Sequence, residues 1–190
     1  MNYNFIIGSD DMERRTFVEF VVAWILILLA TITIVLPIFS IINIKIVFIS
    51  NIALYGIIHL IKNIFILQSK EYSGFSTAIS CIVILILLLF LNILDNPLNL
   101  ALVLFIWIIL MSLIKLKESD YYHDRKNKLW VLNVVNLILF ILTGILAAVN
   151  LYCTSDVQIL VLGFFFLVNG ILELMDPLVA YIFGKEKIEK

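Results

Sequence analysis

The sequence predicts an all-α membrane protein of six transmembrane helices, arranged as three tandem helical-hairpin repeats with the N and C termini cytoplasmic. Three observations carry this prediction. Of the 190 residues, 63% are hydrophobic and only 14% charged, whereas a soluble domain has about 45–50% apolar and about 25% charged residues. The apolar residues also fall in runs of roughly 20, the length a helix needs to cross about 30 Å of hydrocarbon. These runs are apolar all round, where barrel strands would alternate. Finally, Lys and Arg gather at alternate junctions between the runs.

Residues 1–16, MNYNFIIGSDDMERRT, form a charged N-terminal segment placed in the cytoplasm. The run that follows is too long for a secretory signal and lacks a small-residue cleavage site, so it is read as a retained helix. That first helix covers roughly 17–36 and is closed by Pro37. The second, roughly 41–66, is long for a span, which implies tilt or an interfacial extension. After the polar QSKEYSG connection, the third covers roughly 75–94. LDNP makes a tight turn whose Pro97 suits the start of the fourth helix, roughly 98–116. KESDYYHDRKNK, 117–128, is the longest polar loop and contains Tyr121, Tyr122, His123 and Asp124. The fifth helix covers roughly 129–150, with Trp130 placed as an interfacial anchor. In the turn YCTSD, Thr154, Ser155 or Asp156 is suited to cap the sixth helix, roughly 157–183, which Pro177 kinks or ends. The cytoplasmic tail is 184–190. The membrane domain, 17–183, divides into hairpins at about 17–67, 75–117 and 129–183.

Orientation follows from the basic residues. Arg14 and Arg15, Lys62 and Lys70, the group from Lys115 to Lys128, and Lys185, Lys187 and Lys190 all fall on one side. Lys45 alone of the 13 lies toward the other. Loops rich in Lys and Arg stay in the cytoplasm.

The hairpins are related in sequence. Pro37, Pro97 and Leu151 correspond, with Ala30, Phe90 and Gly144 seven residues before them. Downstream, YGIIHLIK, MSLIKLKE and NGILELMD align without gaps and superpose Gly56, Ser112 and Gly170. The period is about 55–60 residues, as in parallel repeats of one supersecondary unit. Small residues let membrane helices approach closely, so Gly56, Ser112 and Gly170 are assigned to helix packing.

Three residues beyond each small position stand His59, Lys115 and Glu173. With Glu19 they form a candidate polar layer near the cytoplasmic end. One reading is an interfacial ion-pair belt, for example Lys115 with Glu173, since charges near the interface cost little. The other is a functional polar site, because buried membrane charges are paired or used. His59 has an ordinary pKa near 6.5, within reach of mild acid.

With its hairpin GILAAVNLYCTSDVQILVLGFFFLVNGILELM and the partial copies upstream, the chain resembles the HdeD family of small six-helix bacterial membrane proteins. Ala30 and Phe90 stand where that family commonly has a small residue, and Leu151 replaces the third turn proline. The resemblance implies a multi-pass protein of a bacterial plasma or inner membrane, linked to acid or stress tolerance. It implies no catalytic residues.

No HExxH, GxSxG, GxxxxGK[ST] or Gly-rich dinucleotide loop occurs. His59 and His123 are too few and too far apart for a recognisable metal site, and Cys81 and Cys153 lie 72 residues apart with no ligand spacing. No catalytic residue, cofactor or metal is therefore expected. A net charge of −1 gives no reason to expect nucleic acid. The lipid bilayer is the expected partner, with a second copy or another membrane protein in the alternatives. The function expected is a non-enzymatic membrane protein contributing to acid or stress tolerance. The alternatives are a small transporter or channel for protons, ions or small solutes, and a structural or accessory subunit.

Overall fold

The computed structural model describes residues 3–36, 43–65, 73–90, 97–124, 129–152 and 157–186. Pro37, Lys70, Asp95, Cys153 and the cap candidates Thr154, Ser155 and Asp156 lie outside the described residues. The described residues form six helices: α1 (Tyr3–Val35), α2 (Ile44–Phe65), α3 (Ser73–Phe90), α4 (Pro97–Asp124), α5 (Leu129–Tyr152) and α6 (Gln158–Glu186). No strand occurs among them. Five helices are long and apolar enough to cross a membrane, over Thr16–Val35, Ile44–Phe65, Leu98–Asp120, Trp130–Tyr152 and Gln158–Val179. The sixth, α3, is apolar but shorter; its 18 residues reach about 27 Å.

Every helix keeps large apolar side chains on its outer face. Leu28, Ile57, Ile82, Leu102, Leu142 and Phe164, one from each of α1 to α6, are all exposed. A bundle apolar both inside and outside is stable only where its surroundings are apolar, which is the signature of a membrane protein.

Some helices run past the expected ends. α1 begins at Tyr3, because Met12, Glu13, Arg14 and Arg15 are good helix formers and no proline interrupts them. α4 continues through the expected loop to Asp124. Its extension is tied to the start of α5: Ser119 Oγ donates to the Trp130 carbonyl at 3.3 Å, and the exposed His123 meets the Trp130 ring edge-on at 5.1 Å. Pro177 lies inside α6 and does not end it.

The helices pack in a ring in chain order, with α6 closing onto α1. The most extensive seams are α6–α1, α4–α5 and α2–α3, while α1–α2, α3–α4 and α5–α6 are lighter. Apolarity gives helices little reason to associate in lipid, so close backbone approach must supply the packing. At the α6–α1 seam, a Cβ on Gly163 would stand 2.8 Å from Ile34 Cγ1 and 3.0 Å from its backbone N. On Gly170 it would stand 3.0 Å from Ile27 Cγ1 and 3.1 Å from Ile27 N. The two glycines and the two isoleucines are each seven residues apart and pair in reverse order, so the helices run antiparallel in the heptad register of left-handed packing. The N-terminal end of α1 and the C-terminal end of α6 therefore share one end of the bundle, called here the terminal end. At the α2–α3 seam, Gly56 abuts Cys81 and Gly74 abuts Asn63, again with a spacing of seven. Ser112 is half-buried and spends its hydroxyl on its own helix, donating to the Ile108 carbonyl at 2.7 Å.

These seams predict a graded response to alanine. Exchanging helical glycine for alanine gains about 0.5–1 kcal/mol of backbone entropy. At Gly144 the three atoms nearest the new methyl all belong to the Ile108 side chain, which must shift to admit it. At Gly163 it meets the backbone of α1. Gly144→Ala is expected to cost less than Gly163→Ala, which should cost about 1–3 kcal/mol. Thermal unfolding in detergent checks this, and equal midpoints for the two variants would contradict it.

Candidate functional site: a buried ionic cluster

The middle of the ring is filled by rings of another kind. Trp107 of α4, fully buried, is met by Tyr55 of α2 at 5.5 Å, Phe140 of α5 at 6.2 Å, and Phe165 and Phe166 of α6 at 5.9 and 5.8 Å. The contacts with Tyr55 and Phe165 are edge-to-face, the arrangement that the aromatic quadrupole favours. These rings form an aromatic plug in the core of the bundle.

On its terminal-end side lies the cluster. Glu173 of α6 is its centre. Lys115 of α4 places Nζ 2.9 Å from Glu173 Oε1, and both side chains are 15% exposed. Lys62 of α2 reaches Oε2 at 4.0 Å. The Tyr55 hydroxyl donates to Oε1 over 3.4 Å and itself accepts from Asn169 Nδ2 at 3.0 Å. Lys115 also lies 5.4 Å above the centre of the Phe140 ring, so its ammonium is held by a carboxylate and an aromatic face together. Three helices thus converge on one carboxylate.

The helix that presents Glu173 is locally modified. Pro177 has no N–H to give, and the acceptor it would have served four residues back is the Glu173 carbonyl. One residue earlier, the Leu172 carbonyl accepts from Asn136 Nδ2 of α5 at 3.4 Å. A neighbouring helix thereby supplies a donor beside the backbone position that proline leaves unserved.

His59 stacks on Tyr55 at 4.4 Å and is 4% exposed. It shares with Lys115 and Glu173 the lining of a cavity of about 20 Å³. Three of the four polar-layer residues therefore come together. Glu19, half-buried on α1, is not part of that lining. It is an electrostatic neighbour of Glu118 on the cavity's α4 side. Gly56 and Gly170 lie at seams, as described above.

Sequence reasoning missed Tyr55, Asn169, Thr77 and the central place of Trp107. A signal for the first two exists: Tyr55 and Asn169 each precede the aligned glycine of their segment by one residue. A buried hydroxyl and a buried amide at matching positions are suited to meet. Nothing in the pattern distinguishes Trp107, which is buried, from Trp24, which is exposed and packs against Phe20.

Comparison with protein-family models, curated proteins and solved structures finds no match to this chain.

The cluster behaves as a unit in the following prediction. Lys115→Met leaves Glu173 without its nearest cation and is expected to cost about 3–5 kcal/mol of stability. Adding Glu173→Leu should restore part of that loss, with a coupling energy of about 1–3 kcal/mol. Unfolding in mixed micelles of the two single variants and the double variant measures the coupling, and strict additivity would contradict it.

Proposed function

We propose that the chain is a six-span protein of a bacterial plasma or inner membrane, with both termini cytoplasmic, that acts without catalysis and contributes to acid or stress tolerance through its buried ionic cluster. The observation that carries this reading is the placing of the cluster. Lys62, Lys115 and Glu173 meet on one side of the aromatic plug, toward the terminal end of the bundle. Carboxylate, ammonium and imidazole groups inside an apolar bundle are suited to answer proton concentration, and the resemblance to the HdeD family is our reason for tying that answer to acid survival.

The ring supports three equivalent hairpins as its plan. Its most extensive seams, α2–α3, α4–α5 and α6–α1, are those that join one hairpin to the next. At about 27 Å, α3 is close to the thickness of the hydrocarbon and supports a sixth span. A transporter would be expected to carry a broken helix or a polar route at mid-membrane. Here the plug of Trp107, Tyr55, Phe140, Phe165 and Phe166 occupies that position.

Two measurements test the proposal. A fluorescent protein fused after Lys190 should mature and fluoresce, as cytoplasmic fusions do; a dark fusion would reverse the orientation. A host strain lacking the gene should survive acid challenge poorly, recover with the wild-type gene and not with Glu173→Gln. Full survival of the deletion strain would end the acid-tolerance reading and leave the fold untouched.

A further inference from the structure

His59 Nε2 is buried and meets no hydrogen-bond partner among the described residues. Native structures rarely leave a buried ring nitrogen so. His59 is also one of the side chains that wall the cavity of about 20 Å³, together with Ser73 and Thr77 of α3, Lys62 of α2, and Glu118 and Glu173. That volume suits about one water molecule, and the wall offers more than the two to four polar groups that a buried water needs. Glu118 follows Lys115 by three residues and lies nearer the terminal end. On the other side Tyr55 stacks on His59, and behind Tyr55 stands Trp107.

We propose that this cavity is a one-sided proton-binding site, in which a single water joins His59 Nε2 to the Thr77 hydroxyl and the Glu118 carboxylate and exchanges protons with the solution at the terminal end alone. Loading transfers one proton. A hydronium at the water position gives up an O–H bond, the Nε2 lone pair takes the proton, the imidazole becomes imidazolium, and a neutral water remains. Unloading is the reverse. The charged and titratable groups that face this site are Tyr55 and Lys62 on α2, Lys115 and Glu118 on α4, and Glu173 on α6; Cys81 of α3 acts through Tyr55, and Glu19 of α1 through Glu118. The aromatic plug denies the proton an exit on the far side, so the site stores or senses protons and does not conduct them. The inference rests on the membrane-bundle reading but not on acid tolerance or orientation.

The test uses the full chain in lipid vesicles, labelled with ¹⁵N-histidine and carrying His123→Gln so that His59 is the one histidine. His123 is exposed and outside the cluster. Water-edited solid-state NMR should show contact between water protons and Nε2. Lowering the pH from about 7 to about 3, a range bracketing the histidine and carboxylate reference values, should convert the nitrogen signal from imidazole to imidazolium. In vesicles sorted to one orientation, the conversion should follow the pH at the terminal end and ignore that of the opposite side. A dry Nε2, a signal fixed across the range, or conversion driven from the opposite side would each overturn the proposal. Thr77→Ile fills the cavity and should abolish the water contact; an unchanged contact in a folded Thr77→Ile protein would also overturn it. The wild-type spectra decide the question if that variant does not fold. A deletion strain that survives acid normally, with the titration intact, would remove the physiological role and keep the site.

Discussion

A carboxylate inside an apolar bundle must be matched where it stands, and the requirements of Glu173 account for much of the surrounding structure. The cost of leaving such a group bare is several kcal/mol. Lys115 answers most directly, at 2.9 Å, from α4, and Lys62 adds a second cation from α2 at 4.0 Å. Satisfying one side chain therefore fixes the relative depth of three helices. Tyr55 then becomes a joint between two chemistries. Its hydroxyl belongs to the polar network through Glu173 and Asn169, and its ring belongs to the aromatic plug through Trp107.

The two ends of the bundle are built differently. Away from the terminal end, neutral side chains also join the described helices. The Thr33 hydroxyl lies 3.1 Å from Asn51 Oδ1, joining α1 to α2, and Asn51 Nδ2 donates back to the Val47 carbonyl at 2.8 Å. Gln158 Nε2 reaches the Leu151 carbonyl at 2.9 Å, holding the start of α6 to the end of α5. Interhelical hydrogen bonds of this kind contribute roughly 0.6 kcal/mol each in membrane proteins. They set register and carry no charge. The sequence reading puts Lys45 alone of the 13 basic residues toward this side.

The parts legible in the sequence are those that depend on one helix at a time. Apolar run length located the helices, and helical register placed His59, Lys115 and Glu173 at one depth. Which way each helix is turned depends on its neighbours, and that was not legible. Thr77 reads as an ordinary polar residue near a helix start until α3 is turned to face α2 and α4 at the cavity. Trp107 and Trp24 have similar apolar surroundings in sequence, yet one is at the centre and the other faces outward. The α4 extension was missed for a related reason. Its residues are polar and read as loop, and the contacts that hold it, from Ser119 and His123 to Trp130, come from the following helix.

The seam between α1 and α6 joins two helices that the other four described helices separate along the chain. While the ribosome is still extending the chain, α1 has no partner for the surface that Ile27 and Ile34 will present to Gly170 and Gly163. The ring stays open until α6 is made, and α6 closes it in the step that also delivers Glu173 to Lys115. Closure and charge neutralisation thus happen together. A chain that stops short of α6 leaves the α1 surface at Ile27 and Ile34 uncovered and leaves Lys115 without the Glu173 carboxylate.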